Sequence, residues 1–335
     1  MERSRRADAV VFGFDFQVNA AIVLFLENVK DVKSLRLEGD YEDIEIELVN
    51  GKFILAQAKA VRRASDDFSN VRNNMKKAIA TLSEADHKSE ASELIMVTNS
   101  PNPFNDDGSK NAFYGPSKRQ YKDLPESARK LVDGYLEDLE DPLDTDKFKV
   151  QIIPFETDED DERYKVIMQC VNDFVGELNT NTAGLGKKLL SVWHWQVFDN
   201  AGKHNSTIRL RKKDIIWPIL VKVTEDNTLD ENFKEKFDDG LLEEVRYRYS
   251  ETIESHCERC EFFIKILSGF NSFQTEKKPM EKINDFIEKK WCDYSVEFSS
   301  EIVDDEVKEA ITKIVMYKVL RQRYVINRVK EGTNI

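Results

Sequence analysis

The chain has 335 residues, 40% apolar and 34% charged, with a net charge of −13. This length suits roughly two domains, and the balance is that of a globular protein with long helices. No apolar run reaches the roughly 20 residues of a membrane span, the basic start "MERSRRADAVVFGFDF" lacks the apolar core of a signal peptide, and four cysteines are too few for a disulfide framework, so a cytoplasmic protein without a membrane is expected.

Residues 16–30, "FQVNAAIVLFLENVK", read as a helix. Phe16, Ala20, Val23 and Leu24 share one side, and Ala21, Phe25 and Val29 widen it. Gly13 precedes this helix and Asp15 offers an N-cap. Residues 35–61 read as a two-stranded hairpin turning at Asn50-Gly51, with Ile44, Ile46 and Leu48 alternating with Glu45 and Glu47. A helix over 66–85 carries the stripe Phe68, Val71, Met75, Ile79 and Leu82, and "ELIMVTNSPNPF" (93–104) reads as a buried strand stopped by Asn and Pro. A helix (125–140), a strand (148–155) and a helix (162–178) follow. "SVWHWQVF" (191–198) reads as a strand with Trp193, Trp195 and Val197 on one side.

The interleaving predicts a mixed α/β domain over 1–210, a sheet flanked by helices. Beyond it the pattern is all-α. Apolar residues recur every three or four positions from Phe233 through Phe237, Leu241, Val245, Tyr249, Ile253, Cys257, Cys260 and Ile264 to Leu267, as one long helix or two broken at Gly240. Helices over 279–291 and 304–330 complete an all-α domain at 211–335, which suits a partner or further copies of the chain.

The chemistry concentrates at the hairpin. Residues two apart on a strand share a face, so Gln57 and Lys59 project together. With a carboxylate from the first strand they form an acid, an amide oxygen and an ammonium on one patch. Hydrolysis of a phosphodiester around a hard cation uses this set: oxygen ligands for Mg²⁺, activation of water and a lysine facing developing charge. Asp43 is the nearest acid, Glu45 and Glu47 share its alternation, and Glu38 could add a ligand. A strict two-residue turn at Asn50-Gly51 would place Ile44 opposite Gln57 and turn Asp43 away from Lys59. The site therefore requires a bulge, a three-residue turn or a bend near Asp43.

The ordered set "GFDFQVNAAIVLFLE", "LEGDYEDIEIEL", "FILAQAKAV" and "LIMVTNSPN" resembles the double-stranded-DNA endonuclease domain of the CD-NTase-associated (CBASS) effector nucleases. Those belong to the PD-(D/E)xK, restriction-endonuclease-like superfamily. The resemblance covers roughly residues 10–200. It implies a restriction-endonuclease-like core, with Asp43 binding Mg²⁺ or Mn²⁺, Gln57 replacing the usual second acid and Lys59 as the catalytic lysine. Glu38 matches the upstream glutamate, and Gln17 matches a helix glutamine bordering the site. Gln57 lacks the charge of an acid, so a millimolar metal requirement follows. The resemblance also implies a role as effector of a bacterial anti-phage complex. The short helical C-terminus differs from the nucleotide sensor of the CBASS enzymes and favours an ATPase-partnered effector, either the Lamassu type with an SMC-like partner or a pair with a HerA-type ATPase.

The net negative charge opposes binding to phosphates, but base follows the hairpin directly, in Arg62, Arg63, Arg72, Lys76 and Lys77. Of these, Arg62, Arg63, Arg72 and Lys76 are the expected contacts to double-stranded DNA. Basic groups recur at 209–213 and at Arg321, Arg323, Arg328 and Lys330, and acid gathers in "EDLEDPLDTD" (137–146) and "ETDEDDE" (156–162). No base-reading module is recognisable, so cleavage with little sequence specificity is expected. A net acidic nuclease binds duplex better as an oligomer, which multiplies weak contacts. "HCERC" offers His256, Cys257 and Cys260 but no second pair, so these cysteines are expected in the core. His194 lacks an evident partner, and "GLGKK" (184–188) is too short for a P-loop. A scaffold with a catalytically silent nuclease fold is the reading from a different class, and RNA is an alternative substrate.

Overall fold

The computed structural model describes residues 8–156, 158–180, 183–225, 229–299 and 302–335, apart from the side chains of Glu225, Glu254, His256, Cys257, Glu258 and Cys260. The "HCERC" expectation therefore lies outside the described side chains. The chain forms two compact units. One gathers the residues up to Glu177 with Gly186–Ile215 and Thr333–Ile335, and the other gathers Leu178–Leu185 and Ile216–Gly332. The division is not the single cut at 210, because segments 178–185 and 333–335 cross over in sequence.

The first unit is mixed α/β. Its elements are α1 (Asp8–Glu27), β1 (Val32–Leu37), β2 (Ile44–Leu48), β3 (Phe53–Lys59), α2 (Val71–Lys88), β4 (Ala91–Thr98), β5 (Ser117–Gln120), α3 (Glu126–Glu137), β6 (Phe148–Ile152), α4 (Asp160–Arg163), α5 (Lys165–Glu177), α6 (Leu185–Ala201), β7 (Leu210–Arg211) and the start of α7 (Lys212–Glu225). Seven strands make one sheet in the order β5-β6-β4-β3-β2-β1-β7. β3, β4 and β6 are parallel, and the others pair antiparallel. Apolar β4 lies inside the sheet, as its "LIMV" run requires. Leu55, Leu94, Met96 and Val150 pack under α2 and α3 with Met75, Ile79, Leu82 and Val132. The alternate residues Ile54 and Ala56 are also buried, so both faces are covered.

α1 starts at Asp8, about two turns before the residue 16 that the sequence predicts. Gly13 and Asp15 lie inside it, so Asp15 caps nothing. By length and composition alone α1 could cross a membrane. It is mostly buried in the fold, packs against β1, β3 and α5, and carries Asp15 and Asn19 in polar contacts, which is the pattern of a core helix.

The hairpin reading needs two corrections. Residues 32–37 are a separate strand, β1, paired antiparallel with β2, so 38–43 is the connection between them. The β2–β3 turn spans three residues: Leu48 N–H donates to Lys52 O at 2.8 Å, and Gly51 takes φ +83. Glycine suits that left-handed position. The register becomes Ile46↔Ile54 and Ile44↔Ala56, which carries Asp43 to the level of Gln57.

"SVWHWQVF" is helical, inside α6, and the strand expectation is overturned. Leu189, Trp193 and Val197 are fully buried at helical spacing, whereas Trp195 is 65% exposed. Alternation over five residues fits either period, and packing of the four-residue repeat decides it. Trp193 Nε1 donates to Ile215 O at 2.7 Å.

The second unit is helical: the remainder of α7, then α8 (Glu231–Lys234), α9 (Asp239–Arg248), α10 (Ser250–Glu258), α11 (Cys260–Ser272), α12 (Pro279–Ser295), α13 (Asp305–Arg321) and α14 (Arg323–Thr333). The apolar stripe from 233 is not one or two helices. It turns at Tyr249 and Arg259, and Gly240 sits inside α9. These turns let α9, α10 and α11 all reach α13, whose Ile311, Val315, Met316, Val319 and Leu320 are buried. Phe233 stacks on Tyr317 at 3.8 Å, and the Tyr317 hydroxyl donates to Asp230.

Candidate active site

The shifted register brings Asp43, Gln57 and Lys59 together. Gln57 Nε2 donates to Asp43 Oδ2, Ala58 N–H donates to the same oxygen at 3.1 Å, and Lys59 Nζ lies 3.8 Å from it. Lys59 ends β3 opposite Thr98 of the parallel β4. The chain beyond it is fixed by Asn99, which accepts from Val61 N–H (2.8 Å) and donates to Val61 O (2.7 Å). Asn99 of "VTNSPN" thus positions the end of β3, a role the sequence did not announce.

The β1–β2 connection closes the site. Glu38 adopts φ +51, a left-handed conformation unusual for a side chain with a Cβ. It is held there by Glu38 N–H donating to Asp43 O (2.8 Å) and Gly39 N–H donating to Glu42 O (3.2 Å). Burial raises the pKa of Glu38, and the Asp43 charge adds to the rise; a hydrogen bond with Gln17 and the cations Lys59 and Arg36 oppose it. Gln17, Glu38, Asp43 and Lys59 therefore form one electrostatic group.

Glu42 belongs to this group and was missed in the sequence, because adjacent strand residues face opposite ways and Glu42 sits in a bend where that rule lapses. It is buried, at 7% exposure. Burial, then the neighbouring Asp43 charge, push its pKa up to about 7. Thr81 of α2 is near enough to ease this, but its hydroxyl donates to Gln57 Oε1 at 2.6 Å, and Glu42 Oε1 has no hydrogen-bond partner. A carboxyl with a raised folded pKa binds a proton that the unfolded chain has lost. Stability is thus undiminished below the ordinary value near 4.5 and falls as pH climbs to about 7. The shift corresponds to about 3 kcal/mol. Glu42→Gln is expected to stabilise the protein by that amount at pH 8 and to change little at pH 5, read by urea unfolding at both. An equal effect at the two pH values would contradict this.

Other expectations fare differently. Glu45 is not in the site: its buried carboxylate pairs with Arg209 Nη1 at 2.6 Å and accepts Tyr41 N–H, and a Cβ on Gly39 would collide with it. Glu47 is held by Lys33 and Ser34. Arg72 donates to Phe104 O (2.7 Å) and Asn105 O (2.9 Å), and Lys76 pairs with Asp138 at 2.7 Å, so both serve their own surface. Arg62 pairs with Asp8 and Asp158, and Arg63 with Asp66. Arg62, Arg63 and Lys76 thus rest on carboxylates and Arg72 on backbone carbonyls. His194, for which the sequence offered no partner, bonds Asp15 Oδ1 at 2.9 Å, while Tyr164 donates to Asp15 Oδ2 at 2.7 Å.

Among the described residues no group of three or more His, Cys, Asp and Glu side chains is gathered as a metal cage. The donor set nevertheless suits a hard divalent ion. Mg²⁺ keeps several waters and needs only one or two carboxylates. Asp43, Gln57 and Glu38 would hold it, and Glu42 Oε1, next in sequence to Asp43, is a buried oxygen without a hydrogen-bond partner. Gln57 now turns its NH₂ toward Asp43; the Thr81 hydroxyl can accept as well as donate, so a flipped amide would keep its bond to Thr81, and its oxygen would face Asp43 favourably only with a cation between them. No protein family, curated protein or solved structure matches the chain.

Proposed function

We propose that the first unit is a metal-dependent endonuclease acting on double-stranded DNA with little sequence specificity, and that the protein is the cytoplasmic effector of a bacterial anti-phage complex. The observation that carries this reading is the convergence of Asp43, Gln57 and Lys59 at the end of β3. A bound Mg²⁺ or Mn²⁺ would supply Lewis acidity and an activated water. Asp43 and Gln57 would supply its protein oxygens. The Lys59 ammonium would face the phosphate oxygen that gains charge, and Asn99 would keep Lys59 at that point through Val61. Glu38, anchored by Gln17, would complete the ligands.

The helical second unit would bind a partner, an SMC-like ATPase of the Lamassu kind or a HerA-type ATPase, or further copies of the chain. Activation would then come from clustering, since the chain carries a net charge of −13 and gains duplex affinity by assembly. A second reading, a silent nuclease fold acting as scaffold, is favoured by the absence of an acid and histidine cage among the described residues. Purified protein with Mg²⁺ and its operon partners is expected to linearise and degrade plasmid and to spare RNA. Intact plasmid under all these conditions would favour the scaffold.

A further inference from the structure

The loop after β3 holds an oxyanion. Ser65 presents its backbone N–H (3.1 Å) and its hydroxyl (2.6 Å) to one oxygen, Oε1 of Glu156. The hydroxyl also lies 3.4 Å from Asp66 Oδ1. Arg62 and Arg63 flank this point, and with Ser65, Glu156 and Asp158 they line an open cleft of about 650 Å³. Arg62 is occupied by Asp8 at 2.5 Å and by Asp158 at 3.8 Å. A backbone N–H and a hydroxyl on one oxyanion, with two guanidinium groups lining the same cleft, offer the donor types that recognise a phosphate. A side-chain carboxylate fills that place now.

The location fits the proposed chemistry. Arg62 follows Lys59 by three residues, at most about 11 Å of extended chain. Val61 between them is fixed by Asn99. That reach is about three base-pair rises along the helix axis. The carboxylates come from "ETDEDDE" (156–162), so a duplex approaching the cleft meets concentrated negative charge.

We propose that Ser65, Arg62 and Arg63 form a subsite for a backbone phosphate of the DNA strand beside the scissile one, and that Glu156 closes the subsite by occupying it. This rests on the endonuclease reading and adds a specific restraint: the acidic segment competes with substrate until it is displaced. Neither the opening of the cleft nor its donors require the metal.

Binding of a short duplex is measured by fluorescence anisotropy in EDTA over a range of salt. Glu156→Ala is expected to tighten binding and to steepen the slope of log K against log salt by about one unit, the signature of one added phosphate contact. Adding Arg62→Ala to that variant should return the slope toward wild type, whereas adding Ser65→Ala should weaken binding at an unchanged slope. Asp158→Asn removes one exposed carboxylate from the cleft and from Arg62, which stays paired with Asp8, without touching Ser65, and should also tighten binding by a smaller factor, which gives a reading even if Glu156→Ala fails to fold. If wild type binds and neither Glu156→Ala nor Asp158→Asn tightens it, the subsite is wrong and the nuclease reading stands. If no form binds duplex at about 50 mM salt, where non-specific contacts are strong, both are wrong.

Discussion

Lys59→Ala is expected to slow plasmid cleavage by about a hundredfold to a thousandfold, the usual loss when one donor facing transition-state charge is removed. Its effect on stability should stay below about 1 kcal/mol, because the ammonium is partly exposed and stands 3.8 Å from Asp43 in a loose pair. The two readouts separate a catalytic lysine from a structural one. Activity is followed on supercoiled plasmid with Mg²⁺ and operon partners, and stability by thermal melting. A variant that cleaves as fast as wild type removes Lys59 from the chemistry. Lys59→Arg should not rescue fully, since a planar guanidinium places its charge differently from a compact ammonium.

Trp193→Ala should cost roughly 3–5 kcal/mol, the range for deleting a large aromatic from a packed core. Trp193 is fully buried against Phe174, and its indole N–H satisfies the Ile215 carbonyl. Trp195→Ala, two positions on, should change stability by less than about 0.5 kcal/mol because that ring is 65% exposed. The contrast is a direct consequence of the helix: a strand would have buried both rings alike. Equal losses in urea unfolding would return the segment to a strand.

That segment shows where the sequence was legible and where it was not. Long periodic stretches announced themselves: α2, α3, β4 and α12 lie close to where their apolar spacing puts them, because each buries a broad stripe, whereas the single helix expected over 304–330 is two, α13 and α14, parted at Gln322. Short aromatic runs did not, since Trp193 and Val197 satisfy a strand and a helix equally until Leu189 is known to share their face. The mixed α/β class followed from the order of elements. The breaks at Tyr249 and Arg259 carry no glycine or proline and come from packing on α13.

The site was legible as a composition and as a condition. Gln57 and Lys59 share a face by strand geometry alone, and Asp43 could join them only if the turn lengthened. The three-residue turn at Gly51 meets that condition. What remained hidden depended on contacts distant in sequence: Thr81 on Gln57, Arg209 on Glu45, and Glu42 folded inward by the bend at 39–43. Charge counts also do not show that Arg62, Arg63 and Lys76 already face carboxylates.

Asp43, Gln57 and Lys59 are proposed to surround one divalent ion. Anomalous diffraction from crystals soaked in manganese tests this without any assay. One strong peak is expected about 2.1 Å from an Asp43 oxygen, with Gln57 Oε1 turned toward it and the Lys59 ammonium nearby. No peak there at saturating manganese, with the Gln57 amide still donating to Asp43, would contradict it.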